Sequence, residues 1–129
     1  MNKNVEIIRS GYHAFNTGDM TTLTGLFDEN ASWHTPGRGI VAGDHKGRDA
    51  VFVHFGRLGQ ETGVTFKANL LHLLADDDGR VVGIQKNTAE RGGKRLDVGC
   101  CIVFELKNGR IVDGSEHYDD LYAQDAFWS

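Results

Sequence analysis

Near the end of the chain, Glu116 to Asp119 are four consecutive side chains that can move or hold a proton. Successive strand residues point to opposite faces, so Glu116 and Tyr118 share one side and His117 and Asp119 the other. Which side faces inward stays open, because Ile111 falls in phase with His117 and Asp119. A carboxyl group in an apolar hollow has its pKa raised toward neutrality by desolvation, which suits a general acid or base. Glu116 is the first candidate for that role, and Tyr118 for a hydrogen-bond donor to a substrate oxygen. His117 and Asp119 form the rival pair, a carboxylate placed to orient an imidazole. Facing outward, that pair would instead lie at a subunit interface. His34 follows Trp33 at the end of a short apolar stretch, and His72 interrupts another. Trp33 either stacks on a ligand or seals the core, and a lone histidine such as His72 is most simply a hydrogen-bonded core residue.

Other chemistries lack their residues. The six histidines are dispersed, with no H-x-x-x-H or C-x-x-C spacing, so no metal and no cofactor is expected. Gly37-Arg38-Gly39 and Arg91-Gly92-Gly93 do not join a strand to a helix in a phosphate-binding pattern, and no nucleophile elbow is present. Fourteen scattered basic residues against 18 acidic ones give a formal charge of −4, which argues against a nucleic-acid groove. No apolar run approaches the ~20 residues that span a bilayer, and MNKNVEIIRS lacks a signal-peptide core. A cytoplasmic protein is expected, with Cys100 and Cys101 reduced, since adjacent strand cysteines point apart.

The elements that must position these groups follow from periodicity. Val5, Ile8, Tyr12 and Phe15 recur at helical spacing, predicting a helix from about Lys3 to Thr17 that Gly18 terminates. Asp19 caps a short second helix with Leu23, Leu26 and Phe27 on one side. Ala31 to His34 reads as a short strand, Gly37 to Gly47 as a loop, and Arg48 to Gln60 as a third helix burying Val51, Phe52, Phe55 and Leu58. From Val64 the period changes to two. Strands are predicted from Val64 to Leu74, Arg80 to Glu90, Arg95 to Lys107 and Arg110 to Asp119, the last two joined by Asn108-Gly109, a strong hairpin signal. The even positions of the third, Leu96 to Leu106, are all apolar. Helices followed by strands mean α+β, and 129 residues suit one domain, 1–129. The aromatics of the final segment, Tyr122, Phe127 and Trp128, are predicted to pack as a short helix over a pocket mouth or against a partner subunit.

Ala14-Phe15-Asn16-Thr17-Gly18-Asp19, then Leu26-Phe27-Asp28-Glu29-Asn30-Ala31-Ser32-Trp33, resembles the opening of nuclear transport factor 2-like proteins. Trp33 to Gly37 with Ala42 to Val51 looks like the SnoaL-like subgroup, and Asn108 to Val112 before an acidic-aromatic strand also fits. The resemblance covers nearly the whole chain. It implies a cone-shaped α+β barrel in which a curved antiparallel sheet and three N-terminal helices enclose a pocket, the helices lying inside the curl without filling it. It also implies a homodimer through the outer sheet face. Registered on the ketosteroid isomerases of that superfamily, the chain has Gly11 for the tyrosine, Thr35 for the base and Ile102 for the acid, so that mechanism is rejected. A slip of one position would substitute Tyr12 or His34. The same registration turns Gln85, Asn87, Glu116 and Tyr118 inward, although Val82 and Ile84 offer the opposite parity in their strand.

The leading expectation is a small apolar organic ligand bearing carbonyl or hydroxyl groups. A cofactor-free isomerase, dehydratase, cyclase or hydrolase would act on it by acid–base chemistry, through Glu116, Tyr118, His117 and Asp119. The ligand-binding candidates are Tyr12, Phe15, Trp33, His34, Phe52, Phe55, His72, Gln85, Asn87 and Phe104, an aromatic lining with few polar groups. The alternatives are a non-catalytic ligand-binding module or a protein-interaction domain.

Overall fold

Asn2 begins the first helix: its side chain accepts from the backbone N–H groups of Asn4 and Val5, and α1 runs Lys3–Thr17 to a left-handed Gly18. The computed structural model describes residues 2–129. The remaining elements are α2 (Met20–Leu26), β1 (Phe27–Thr35), β2 (Gly43–Lys46), α3 (Arg48–Thr62), β3 (Lys67–Ala75), β4 (Arg80–Arg91), β5 (Lys94–Lys107), β6 (Arg110–Tyr118) and α4 (Leu121–Phe127). One curved, unclosed six-stranded sheet has the order β2-β1-β6-β5-β4-β3. The segment from β3 to β6 is the antiparallel meander that the alternation predicts.

Several details differ from the sequence reading. The second helix stops at Leu26, and Phe27 opens a longer β1 that pairs parallel to β6. The predicted loop contains the edge strand β2, antiparallel to β1. β3 starts at Lys67, leaving Val64 exposed at positive φ. Within β3 a bulge separates Leu70, opposite Gln85, from His72, opposite Ile84. One extra residue reverses the pleat, so His72 and Leu74, predicted inward, face out.

Even positions of β5 from Leu96 to Leu106 are buried, as are Val81, Gln85, Asn87 and Ala89 on β4. This concave face receives α1 against β3 and β4, α3 against β1, and α4 against β5. The helices fill more of the hollow than expected. Phe55 of α3 meets Phe15 at 5.3 Å, Trp33 at 5.0 Å and Phe27 at 5.9 Å between ring centres, all edge to face, an arrangement that aromatic quadrupoles favour. Two glycines allow this closeness. A Cβ at Gly114 would collide with the Trp33 ring, and one at Gly83 with the Tyr12 hydroxyl. Beyond them, Phe127 and Trp128 pack with Val41, Leu58, Leu96 and Val98, as their aromatic content predicts, whereas Tyr122, also predicted to pack, stands exposed on the outer side of α4.

Candidate functional site

Glu116 lies at the centre of the concave face, opposite Ile102 of β5. It is 9% exposed, and donors converge on it from three elements. Its Oε2 accepts from Trp33 Nε1 at 2.5 Å and from Thr35 Oγ1 at 2.9 Å, two β1 residues whose period-two spacing puts both on the inner face. Its Oε1 accepts from the Tyr118 hydroxyl, two residues along β6. His54 of α3 brings Nε2 to 3.9 Å from Oε2 and to 3.3 Å from the Thr35 hydroxyl.

A chain of hydrogen bonds leads to the same carboxylate from the other side. The Tyr12 hydroxyl donates to Gln85 Oε1 at 2.5 Å, and Gln85 Nε2 donates to Asn87 Oδ1 at 2.6 Å. Asn87 Nδ2 in turn donates to the Tyr118 oxygen at 3.5 Å. Each donor in this chain points toward Glu116. The surrounding wall is apolar and encloses about 70 Å³, less than half of the roughly 150 Å³ that accommodates benzene in an engineered cavity. Entry of an aromatic ring therefore requires lining side chains to withdraw.

These surroundings correct the expected ionisation of Glu116. Burial does raise its carboxyl pKa, but donation and charge from His54 and the hydrogen bonds of Tyr118 and Trp33 outweigh it, and the net direction is down. Glu116 is an anion. A carboxylate offers about four lone-pair directions, and Trp33, Thr35 and Tyr118 occupy three. Burial first, then the nearby Glu116 charge, pushes the Tyr118 hydroxyl well up, and burial does the same to Tyr12. Both remain protonated donors. Cys100 faces inward beside them, and burial holds its thiol protonated, which removes it as a nucleophile.

Of the residues singled out in the sequence, Glu116, Tyr118, Tyr12, Phe15, Trp33, Phe55, Gln85, Asn87 and Phe104 line this cavity. Gly11, Thr35 and Ile102, the positions registered on the isomerases, line it too. The structure does not bring the others there. Phe52 packs edge to face on Phe27 behind the wall. His34 lies on the far side of β1, its ring nitrogens each 2.8 Å from a carboxylate oxygen of Asp44 or Asp113. His72 is on the outer face. His117 and Asp119 are exposed on the opposite side from Glu116, and Asp119 accepts from the backbone N–H of Gly99. The parity of β6 therefore separates that pair from the site.

Among the polar cavity residues, His54 and Gln124 were missed altogether, and Trp128 was predicted only as a packing residue over a pocket mouth or against a partner. His54 stands in helical phase with Val51 and Leu58, a buried stripe that the sequence displays. Its ring stacks on His45 of β2, centres 4.2 Å apart, and burial, with His54 beside it, pulls the His45 pKa down. Among the described residues, no three His, Cys, Asp or Glu side chains converge as metal ligands.

A family model described as a SnoaL-like domain matches residues 8–114. An uncharacterised protein of Mycobacterium tuberculosis is 31% identical over 97% of this chain and 95% of its own length. The solved structure of Bal32a, from a soil-derived mobile gene cassette, is 72% identical. It covers 98% of this chain and 97% of that one with a TM-score of 0.97. A cystatin-like protein of unknown function from Xanthomonas campestris is 26% identical, covering 100% and 99% with a TM-score of 0.92. At 15% identity and a TM-score of 0.85, TerC, co-crystallised with polyporic acid, shares the fold over 98% of each chain. No helix among the described residues is long and apolar enough to cross a membrane.

Proposed function

The chain belongs to the SnoaL-like domain family, and on that premise we propose that it binds a small, mostly apolar organic molecule and moves a proton on it next to a carbonyl or hydroxyl group. Glu116 is the base. Tyr118 supplies the hydroxyl donor to the substrate oxygen, and Tyr12, Gln85 and Asn87 form the hydrogen-bonded chain that holds it in register. His54 steadies the carboxylate, directly and through Thr35. The single observation that carries this reading is a buried carboxylate, served by neutral donors, with one lone-pair direction left open in an apolar wall. A proton of a bound carbon or oxygen acid would meet that direction. That TerC, a protein of the same fold, was co-crystallised with polyporic acid adds support for an organic ligand.

The same geometry also favours a second reading, a binding module without chemistry, because a carboxylate with three donors and a lowered pKa is a weak base. The two readings part in one experiment. Cyclohexanone in deuterated water exchanges its α-protons slowly, and the exchange is followed by NMR. Acceleration by the protein that Glu116→Gln removes supports the enzyme. Binding of the ketone with no acceleration supports the module, and acceleration that survives Glu116→Gln removes Glu116 from the mechanism.

The outer face of the sheet is proposed as the surface that pairs two copies. Ile84, Cys101 and Val103 are only half covered there, with His117 beside them, a mixture common at homodimer contacts. Sedimentation of Val103→Asp tests this, with dissociation to monomer the expected result. Reduced Cys100 and Cys101 fit a cytoplasmic protein.

A further inference from the structure

Two polar atoms where α4 meets the cavity have no hydrogen-bond partner among the described residues: Gln124 Oε1 and Trp128 Nε1. Both side chains line the cavity, and they are 3% and 1% exposed. They stand four residues apart at the end of α4, so both project from one side of that helix. A buried polar atom left without a partner costs free energy that a ligand group can recover. The indole N–H can only donate, and the amide oxygen can only accept. A hydroxyl group does both and satisfies the pair at once.

This pole is separate from the carboxylate pole. Trp128 packs on Leu96 and Val98 of β5, whereas Glu116 lies opposite Ile102. Four to six residues of strand set these points on the order of 13–20 Å apart along β5, and inward-leaning side chains shorten the gap between the functional atoms. The wall between them is built of Phe15, Phe55 and Phe66.

We infer that the ligand is two-ended. It carries a slender apolar or aromatic body whose reacting group meets Glu116 and Tyr118, with a hydroxyl at the far end held between Trp128 and Gln124. This rests on the small-molecule reading above and adds the substrate class to it.

The test uses three probes that differ only at their ends: biphenyl, 4-phenylphenol and 4,4′-dihydroxybiphenyl. The chain has two tryptophans, so an amide-nitrogen NMR spectrum shows two indole N–H signals. Trp33 already donates to Glu116, and Trp128 has no acceptor among the described residues. The dihydroxy probe should bind about tenfold more tightly than 4-phenylphenol, as one further pair of hydrogen bonds allows. It alone should move the Trp128 signal downfield. Gln124→Met keeps the shape of the wall and Trp128→Phe keeps it apolar while removing the indole N–H, and each should reduce that advantage to about twofold. Equal affinity of the two phenols, or an advantage that survives both variants, overturns the two-ended ligand while leaving the carboxylate site standing. An unmoved Trp128 signal with the dihydroxy probe bound does the same, and means that water alone serves these atoms. Failure of all three probes while cyclohexanone binds overturns the two-ended aromatic ligand alone; failure of cyclohexanone as well, with the Trp33 signal unmoved, defeats the small-molecule reading itself and this inference with it.

Discussion

Glu116→Gln keeps the shape of the central side chain and removes its charge, so its cost measures how the carboxylate is held. Three donors reach the carboxylate, from Trp33, Thr35 and Tyr118. A hydrogen bond to a charged acceptor contributes about 1.5–3 kcal/mol and a neutral one about 0.5–1.5, so each contact weakens by about 1 kcal/mol. The amide must also choose an orientation. Trp33 can only donate, so the amide oxygen takes the Oε2 place and its NH₂ faces the Tyr118 hydroxyl, which must turn to accept. Against a loss of about 3 kcal/mol stands the desolvation that an amide largely escapes. The lowered pKa of Glu116 means that the donors outweigh desolvation, so the expected net cost is about 1–3 kcal/mol near neutral pH. Linkage fixes the pH dependence. The folded pKa lies below the ordinary 4.5, so the stabilisation is complete above that value and is lost as pH falls through the folded pKa. Urea denaturation of both proteins at about pH 7 and about pH 3.5 should show a gap that narrows in acid. A variant more stable than wild type near pH 7, or a gap that widens in acid, would refute the reasoning. Either result would mean that desolvation wins and the carboxyl group is held protonated.

Three further outcomes test neighbouring contacts. Tyr118→Phe removes the donor to Oε1, so the Glu116 pKa should rise; a carboxyl-carbon NMR titration reads this directly, and the acid limb of any Glu116-dependent rate should move to higher pH. Gly114→Ala puts a methyl group into the Trp33 ring and should cost about 1–3 kcal/mol in urea denaturation, with a changed near-ultraviolet tryptophan signal. His34, whose pKa is raised mainly by its bond to Asp44, contributes stability that is complete below its unfolded pKa and is lost as pH rises through the folded one. Hydrogen exchange of the β2 amides should therefore quicken across that rise, modestly because the ring is partly exposed, and pH-independent protection of β2 would remove the His34 clamp.

The alternation of β5 was legible because its even positions are apolar from Leu96 to Leu106 and stay buried throughout; the one shift in its pairing with β6 skips a residue of β6, between Ile111 and Asp113. Glu116 and Tyr118 could be placed on one face for the same reason, though which face was inward needed the pairing of β6 with β5. β3 was misread beyond Leu70 because a bulge leaves no mark in composition, and there the apolar residues continue on both sides of it. The parallel pairing of β1 with β6 joins segments some eighty residues apart in sequence, and no local pattern encodes such a contact. His54 carried a signal, its phase with Val51 and Leu58, but a histidine in an apolar stripe reads as a satisfied core residue until the partner is known. The partner is Glu116, far away in sequence, and only the fold joins them.

The choice of donors around Glu116 bears on its use. Within 4 Å of the carboxylate the described residues place no lysine or arginine; the only basic group is the imidazole of His54. A guanidinium there would hold the carboxylate still further down and fix it in a forked pair, stable but slow to take a proton. Hydroxyl and indole donors keep the group ionised with less depression, and two of the three, Thr35 and Tyr118, sit on rotors that can be redirected. When a substrate oxygen arrives, the Tyr118 hydroxyl can turn from Glu116 to it. That single rotation would strengthen the base and stabilise the oxygen it acts beside. The Asn87–Gln85–Tyr12 chain behind Tyr118 supplies another donor to its oxygen throughout, so that oxygen keeps a partner, while Glu116 Oε1, released by the turn, would face the substrate's proton. On the proposed reading, a carboxylate that is well satisfied at rest would become more basic through the contact that binds its substrate.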